Sequence, residues 1–220
     1  KEKLYDRDLG IMKLLDPPFD KTEKEPGYIK GYLKGVRENG GQYTHGALFY
    51  ALGCFKCSDM LYSQHPETSE MISRSGGDIL MYSNPAFRMS GTVSENIRKS
   101  YMAEPYAAAA DIYSNADNPG RGGWTHYTGA AGWMYQLILK YVFGLAFSDI
   151  CTDSPKIFVN TARYFPLPEI ISGASVKIYD FGFDLTVKFI SDGKKCVITD
   201  GRAAENGIIT KNIKSAEIHF

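Results

Sequence analysis

The spacing of apolar residues divides the chain into a helical part and a part with strand-like alternation. Up to about residue 150, apolar positions recur mostly at helical spacing and are interrupted by glycine-rich loops. Beyond that point apolar and polar residues alternate, most clearly over Phe183–Phe189, where every second side chain is apolar. We therefore predict two domains, residues 1–150 and residues 151–220.

The first domain contains four candidate helices. They are Leu4–Leu15, Tyr43–Leu61, Ser94–Tyr113 and Thr128–Phe147. Thr92 and Glu95 can form a capping box before the third, and Pro105 divides that stretch into two helices that meet near Glu104. The polar residues from Pro66 to Gly91 predict an extended loop. Four helices are too few to close a helical toroid. We therefore interpret this domain as one side of a larger helical domain.

The second domain is predicted to consist of short strands. A turn signal at Ser191–Lys194 separates Phe183–Phe189 from Lys195–Thr199, so these two segments are expected to form a hairpin. Val176–Tyr179 and Ala216–Phe220 supply further strands. Together the strands predict a small β-sandwich-like domain that serves as a packing module.

Composition and charge exclude several classes of function. The chain has 220 residues, of which 44% are hydrophobic, which is enough to bury a core. Twenty-five basic residues balance twenty-five acidic ones, so no global field attracts nucleic acid or an anionic membrane. No run approaches the roughly 20 apolar residues of a membrane helix, and the N-terminus lacks a signal-peptide pattern. We expect a cytoplasmic protein that binds no nucleic acid and makes no direct contact with a membrane.

Two glycine-rich loops carry the candidate chemistry. The first, Arg37–His45, leads into a predicted helix with His45 in its first turn. The second, Gly120–Gly129, ends with Thr128 and Gly129 at the start of the most apolar helix. Helix starts offer free N–H groups and a positive dipole end, so the two loops could converge on one small oxyanion. Glycine also marks ordinary turns, and on pattern alone that structural interpretation has similar weight.

Individual side chains in the loops allow more than one interpretation. A lone His45 would more often be a capping or core imidazole, but Glu38 and Gln42 crowd hydrogen-bonding groups beside it. Trp124 is equally suited to stack on a sugar ring or to fill the core. Glu104 lines a pocket or caps a helix.

The cysteines favour no metal and no redox site. Cys54 and Cys57 form a Cys-x-x-Cys, but Cys151 and Cys196 lie 45 residues apart and make no second close pair. Reduced, packed thiols are the favoured interpretation, and unpaired thiols agree with a cytosolic setting. We therefore predict no metal and no cofactor.

Several long motifs occur in a fixed order along the chain. They are Leu14–Asp20, Gly27–Tyr32, Arg37–His45, Glu104–Tyr106, Ala110–Ser114 and Gly120–Tyr135. At these motifs the sequence resembles glycoside hydrolase family 94, the inverting phosphorylases that include cellobiose phosphorylase and the C-terminal region of cyclic β-1,2-glucan synthase. The Gly-Gln-Tyr-Thr-His and Trp-Met-Tyr forms are more similar to the β-1,2-glucan branch. The segment 62–91 matches poorly, and its role stays open.

The resemblance implies a fold and a set of phosphate ligands. The expected fold class is α+β multidomain: part of an (α/α)6 toroid followed by a small, jelly-roll-like C-terminal β-sandwich. By the same resemblance, His45, Thr128 and Gly129 would bind phosphate. Those positions are also the ones that the helix starts favour for an anion.

The resemblance further implies that Glu38 holds the glucosyl unit in the donor subsite. We take Gln42, Glu104 and Trp124 as additional candidate substrate-binding residues. The implied function is glucosyl transfer between a β-glucan or β-glucoside and inorganic phosphate, which gives α-glucose 1-phosphate. Phosphate is then a co-substrate rather than a cofactor.

The general acid implied by the resemblance is an Asp in an upstream, Trp-containing motif that this chain lacks. We therefore expect the chain to be a C-terminal fragment that is inactive alone and that needs the N-terminal part of the same polypeptide. Two questions stay open: whether the protein forms a homodimer, and whether the chain is part of the cytosolic domain of a membrane-anchored synthase. The alternative function is a non-catalytic carbohydrate-binding remnant of the fold.

Overall fold

The computed structural model describes residues 3–160, 173–179, 185–194, 196–204, 207–210 and 213–219. The chain divides into two compact units, Lys1–Tyr135 and Gln136–Phe220. Each is described by itself, and the boundary predicted at residue 150 stays a prediction.

The first unit mixes short strands with helices. Its strands are β1 (Tyr5–Asp6), β2 (Ile11–Met12), β3 (Gln42–Tyr43), β4 (Ala109–Ile112) and β5 (Gly122–Thr125). Its helices are a 3₁₀ helix (Gly27–Gly31), α1 (Thr44–Leu61), α2 (Pro66–Ser83), α3 (Pro85–Arg88) and α4 (Glu95–Tyr101). Helix α5 (Thr128–Leu137) begins in this unit and is followed by a π-helical turn, Ile138–Val142.

Helices α1 and α2 pack very closely against each other. A β-carbon added at Gly76 would lie 2.8 Å from Cβ of Cys54 and 3.0 Å from the carbonyl oxygen of Ala51. The hydroxyls of Ser58 and Ser69 also lie 2.8 Å apart across the pair. The helix predicted at Tyr43–Leu61 is thus confirmed, whereas the extended loop predicted after Pro66 is wrong. Helix α2 buries serine and glycine more than large apolar residues, so apolar spacing does not reveal it.

The helix predicted at Leu4–Leu15 is also wrong. Strands β1 and β2 form an antiparallel pair there, with Tyr5 opposite Met12. The Asp6 carboxylate accepts the N–H groups of Asp8 and Leu9, both at 3.1 Å, which closes a turn in place of a helix. Such local side-chain bonds compete with the helical backbone pattern.

The third predicted helix is correct only in its first half. Ser94, rather than Thr92, caps α4 by accepting the N–H of Ile97 at 3.4 Å. The second half, Ala109–Ile112, is strand β4, because it pairs on both sides within a sheet. Tertiary pairing therefore overrides the high helix propensity of an alanine run.

The sheet formed by β3, β4 and β5 fixes the direction of the two glycine loops. Its order is β3-β4-β5, and β4 is antiparallel to both neighbours. The outer strands β3 and β5 therefore run in the same direction, and each leads into a helix. Helix α1 begins at Thr44, directly after β3, and α5 begins at Thr128, shortly after β5. Both helix N-termini consequently lie at the same end of the sheet, where β3 and β5 have their carboxyl ends.

In the described part of the second unit, two sheets share an apolar core. The strands are β6 (Leu145–Ser148), β7 (Lys156–Val159), β8 (Ser175–Ile178), β9 (Leu185–Ile190), β10 (Cys196–Thr199), β11 (Arg202–Ala203), β12 (Ile208–Thr210) and β13 (Ser215–His219). One sheet has the order β11-β10-β13-β9-β8 and the other β12-β7-β6. The core includes Leu145, Ile157, Phe189 and Ile209, which come from both sheets.

The alternation predicted for β9 is confirmed, because Leu185, Val187 and Phe189 are all buried. The predicted hairpin between β9 and β10 is wrong, because β13 lies between them and runs parallel to β9. A local turn signal cannot reveal a strand that is inserted from further along the chain. Phe183, Lys195 and Phe220, which belonged to predicted strands, lie outside the described residues.

Helices and several sheets together agree with the predicted α+β class, while the toroid and the jelly-roll topology stay predictions. Among the described residues, none of the helices combines the length and the apolar character needed to cross a bilayer.

Candidate active site

The first glycine loop is held by hydrogen bonds within it and to the residues that precede it. The Gly41 N–H donates to the carbonyl of Arg37 at 3.1 Å. The Asn39 side chain accepts the N–H of Phe19 at 2.7 Å and donates to the carbonyl of Tyr32 at 2.8 Å. Because Asn39 is occupied in both directions, it shapes the loop and is not available to a ligand.

The segment after β4 joins the two loops. Ser114 donates its N–H to the carbonyl of Gly35 and its hydroxyl to the carbonyl of Gly40, both at 2.8 Å. Its neighbour Tyr113 donates its N–H to the carbonyl of Arg121 in the second loop, also at 2.8 Å. The two loops are therefore parts of one hydrogen-bonded structure.

His45 lies directly against the start of α5. A β-carbon added at Gly129 would lie 3.2 Å from Nδ1 and 3.3 Å from Cε1 of His45. Those separations are shorter than an ordinary van der Waals contact, so glycine is the residue that fits without displacing the imidazole. Thr128 and Gly129 are both exposed at the first turn of the helix. The structure thus brings together all three predicted phosphate ligands.

The His45 ring is fixed by aromatic neighbours. Its centroid lies 4.7 Å from that of Phe49, which in turn lies 5.0 Å from that of Trp133. Nε2 of His45 is buried without a hydrogen-bond partner among the described residues, and so is the hydroxyl of Thr44 beside it. The beginning of α1 therefore holds polar atoms at a place where the protein itself does not satisfy them.

Glu38 is paired with Arg37, and both side chains are largely buried. Nε of Arg37 lies 3.5 Å from Oε2 of Glu38, with 12% and 13% of the two side chains exposed. The hydroxyl of Tyr28 donates to Oε1 of Glu38 at 3.4 Å. Oε2 has no hydrogen-bond partner of proper geometry among the described residues. One carboxylate oxygen is thus held, while the other retains acceptor capacity.

Arg37 also lies among three aromatic rings. Its Cζ is 5.0 Å from the ring centroid of Trp124, 5.5 Å from that of Tyr32 and 5.8 Å from that of Tyr127. Burial lowers the pKa of Arg37, but the hydrogen bond to Tyr127 and the nearby Tyr32 and Glu38 raise it above its ordinary value. Trp124 remains 54% exposed. Arg37 thus links Glu38 of the first loop to the open ring of Trp124 in the second.

Asp111 is a buried carboxylate in the central strand β4. Its Oδ2 accepts the backbone N–H of Arg37 at 3.1 Å, and its Oδ1 has no partner among the described residues. Burial raises the pKa of Asp111 to about 6, against the bond and charge of Arg37 and with the help of the Glu38 charge. Its protonation is therefore expected to change near neutral pH.

Backbone strain is concentrated in the same loops. Arg37, Trp124 and His126 adopt positive φ angles of 50°, 55° and 70°, a region that residues with a β-carbon seldom occupy. Such strain persists where surrounding contacts enforce it and is frequent at functional sites.

Two further candidates have contacts of another kind. Oε1 of Gln42 accepts the N–H of Met12 at 2.8 Å and Nε2 donates to the Ser83 hydroxyl at 3.3 Å, so this buried amide ties β2 to the end of α2. Glu104 is half-buried and follows α4. Burial of Tyr101 raises the pKa of that phenol to about 12, and the negative charge of Glu104 adds to the rise. The substrate-binding roles of both stay predictions.

Arg37 and Asp111 are the residues that sequence reasoning missed. Asp111 is a single charge within the apolar run Ala107–Ile112, a pattern that can signal a buried functional carboxylate. Arg37 precedes Glu38 directly.

The described ranges contain no group of three or more His, Cys, Asp or Glu side chains that could hold a metal ion. All four cysteines lie in those ranges and none forms a disulfide; Cys54 is buried in α1, whereas Cys57 is exposed. The prediction of packed thiols is thus wrong for Cys57 and for Cys151, which is also exposed.

Comparison with known proteins gives a consistent result. The model of the glycosyl hydrolase 94 superfamily catalytic domain matches residues 1–57 and 83–144, which include both loops. The chain is 40% identical over 143 residues to the cyclic beta-(1,2)-glucan synthase NdvB of Rhizobium meliloti (strain 1021), covering 65% of this chain and 4% of that protein. Residues 58–82, which separate the two matched segments, contain most of α2.

Two phosphorylases of Paenibacillus borealis are also similar. Solabiose phosphorylase is 29% identical over 133 residues, and 3-O-beta-D-glucopyranosyl-beta-D-glucuronide phosphorylase is 28% identical over 135 residues. These alignments cover 59% and 60% of this chain and 15% of each relative. The chain therefore spans only a small part of the length of the relatives it matches.

Proposed function

Since the chain belongs to the glycosyl hydrolase 94 superfamily, we propose that it contributes the phosphate- and donor-sugar-binding half of an inverting glycoside phosphorylase site. The reaction is reversible glucosyl transfer between a β-glucan or β-glucoside and inorganic phosphate, with α-glucose 1-phosphate as the phosphorylated product. The similarity to two phosphorylases and to a glucan synthase supports this class of reaction.

The observation that carries the proposal is the contact between His45 and Gly129. Thr128 supplies a hydroxyl and Gly129 an N–H at the positive end of α5, and His45 packs against Gly129. The start of α1 lies at the same end of the sheet. An oxyanion such as phosphate is the ligand that hydrogen-bond donors at a helix N-terminus favour.

Glu38 is proposed to hold the glucosyl unit in the donor subsite. A carboxylate accepts hydrogen bonds from sugar hydroxyls, and Tyr28 and Arg37 fix its orientation. The exposed ring of Trp124 offers an apolar face for a pyranose ring close to this carboxylate. A few fixed polar groups beside an aromatic surface are typical of small-ligand sites.

In the proposed mechanism an oxygen of phosphate forms a bond to the anomeric carbon while the glycosidic C–O bond breaks. The leaving oxygen takes a proton from a general acid on the opposite face of the ring. Phosphate is already anionic, so His45 and Thr128-Gly129 need to hold it more than to deprotonate it. The general acid is expected to be an Asp outside the motifs of this chain, so the 220 residues alone are expected to be inactive.

The greater identity to the glucan synthase supports β-1,2-glucan as the carbohydrate. We further propose that α1 to α5 belong to an (α/α)6 toroid, that the two sheets of the second unit belong to a jelly-roll-like domain, and that the protein acts in the cytoplasm.

The test is phosphate-dependent release of α-glucose 1-phosphate from β-1,2-glucan and from cellobiose. The chain alone should release none, and a longer product of the same gene that includes a Trp-flanked Asp should act on β-1,2-glucan. In that product His45→Ala should weaken phosphate use far more than glucan binding. Turnover by the chain alone, or equal losses of both, would contradict the proposal.

A second candidate is a non-catalytic carbohydrate-binding remnant. It is favoured by the segment 58–82, which contains most of α2 and lies outside the family match. In that case the protein would bind glucan with an affinity that phosphate does not change, and no longer product of the gene would release α-glucose 1-phosphate.

A further inference from the structure

Asp111 carries a buried charge that neither phosphate binding nor the proposed roles of Glu38 and Trp124 use. It lies at the centre of β4, fully buried, between β3 and β5. A carboxylate at such a position is costly compared with an apolar residue, since burial disfavours its charged form. A purely structural strand would not need it.

The main partner of Asp111 is the backbone of the first loop. Oδ2 accepts the N–H of Arg37 at 3.1 Å, at a residue whose φ is 50°. A hydrogen bond to an ionised acceptor is stronger than one to a neutral acceptor. The carboxylate therefore stabilises the left-handed backbone conformation that orients the Arg37 side chain.

The orientation of the Arg37 side chain determines how Glu38 and Trp124 lie relative to each other. The Arg37 side chain pairs with Glu38 and stacks on Trp124. A change in the backbone at Arg37 would therefore move the acceptor oxygens of Glu38 relative to the indole.

We propose that Asp111 is a positioning residue of the donor-sugar subsite. Its ionised carboxylate acts through the Arg37 backbone and determines the orientation of the Glu38 side chain, so glucosyl units bind best when Asp111 is charged. This inference rests on the proposed function of the same site, whose phosphate half does not involve Asp111.

Several groups face this carboxylate. The charges of Arg37 and Glu38 act on it from the first loop, with opposite effects on its pKa, which burial has raised to about 6. Tyr113 follows directly after β4, and burial together with the Asp111 charge raises the pKa of that phenol. In the neighbouring strands Tyr43 and Gly123 lie opposite Asp111, and His45, the second residue of α1, follows two positions after Tyr43.

The test measures binding of an uncharged probe, the β-1,2-linked glucose disaccharide, to the 220-residue chain between about pH 5 and pH 8. The wild-type affinity should fall about tenfold from pH 7 to pH 5, as the ionised fraction of a carboxyl with a pKa near 6 does. Asp111→Asn should bind at the low wild-type level across the whole range. Asp117→Asn, which changes an exposed carboxylate, should behave like the wild type.

Two controls separate positioning from a structural role. Asp111→Asn should melt no lower than the wild type at pH 8, because it removes a buried charge but keeps an acceptor for Arg37. It should also keep its affinity for inorganic phosphate at pH 7. An Asp111→Asn variant with the wild-type pH slope, or with equal losses of phosphate and disaccharide binding, would overturn the inference.

Failure of the underlying function has a different signature. If the wild-type chain binds neither phosphate nor the disaccharide, the proposed function and the inference both fall. If it binds both and the disaccharide affinity does not change with pH, only the role of Asp111 falls.

Discussion

The glycine loops of the first unit and the sheets of the second use left-handed backbone in different ways. In the second unit Asp200 has a φ of 44°, and its carboxylate accepts the N–H groups of Lys214 and Ser215 and the hydroxyl of Ser215. In the first unit Trp124 has a φ of 55°, yet half of its side chain is open to solvent. Strain at Asp200 is offset locally, whereas strain at Trp124 leaves a surface for a ligand.

The carboxylates of the two units show the same contrast. Burial raises the pKa of Asp111 to about 6, while the hydrogen bond to His219 lowers the pKa of Asp192 to about 2. Asp111 therefore contributes most to stability below about pH 4, and that contribution is lost as pH rises towards 6. Asp192 contributes above about pH 4, and its contribution is lost as pH falls towards 2. Ionisation of Asp111 thus opposes folding of the first unit, whereas ionisation of Asp192 favours folding of the second.

If the second unit is stabilised chiefly by packing, Phe189→Ala should have the largest effect. Phe189 is buried in β9, and its ring centroid lies 5.1 Å from that of Phe143. The cavity should lower the free energy of unfolding by about 3–5 kcal/mol, as measured by chemical denaturation. Lys188→Ala, on the exposed face of the same strand, is the matched control, and an equal loss there would contradict this explanation.

The loops should instead respond through binding. Gly129→Ala places a methyl group against His45 and should weaken phosphate binding at least about tenfold, or about 1.4 kcal/mol, in a calorimetric titration. Gly132 lies on the same helix with open space around it, so Gly132→Ala should leave phosphate affinity unchanged and stabilise the helix by up to about 1 kcal/mol. Equal affinities of the two variants would argue against phosphate at this contact.

Replacing Asp200 or Trp124 by glycine should have smaller effects, one mainly on stability and the other mainly on disaccharide binding. Asp200→Gly relieves strain but loses its hydrogen bonds, so the free energy of unfolding should fall, though by much less than in Phe189→Ala. Trp124→Gly should change stability by less than Asp200→Gly does, because the relieved strain offsets the lost contact with Arg37. Trp124→Gly should nevertheless weaken disaccharide binding, and unchanged binding would remove Trp124 from the site.

The smallest effect concerns acid. Asp192→Asn keeps an acceptor for His219 but cannot ionise. Thermal melts between about pH 4 and pH 2 should show a shallower loss of stability for this variant than for the wild type. The same slope in both proteins would mean that this pair does not determine the acid response.

Local signals revealed some of this structure and missed the rest for physical reasons. The start of α1 and the alternation of β9 depend on neighbouring residues, so the sequence predicts them. Strand β4 was missed because alanine favours helices, and only pairing with β3 and β5 makes Ala109–Ile112 a strand. Helix α2 was missed because it buries serines and glycines.

The site was predictable in a similar way. The two loops identified His45 and Gly129, which lie in contact. Asp111 and Arg37 were missed because their importance depends on β4 lying between the two loops, a contact between residues 74 positions apart. Gln42 was chosen from its place in the loop, although its amide bonds to Met12 and Ser83.

The central claim is that phosphate binds where His45 meets the start of α5. Nitrogen-15 NMR of the chain during a phosphate titration tests it most directly, because His65 and His219 lie outside both loops and serve as internal controls. We predict saturable shifts of the His45 ring and the Gly129 amide with one shared Kd, and little change in the rings of His65 and His219. Unchanged His45 and Gly129 signals, or shifts of His65 and His219 equal to that of His45, would contradict the claim.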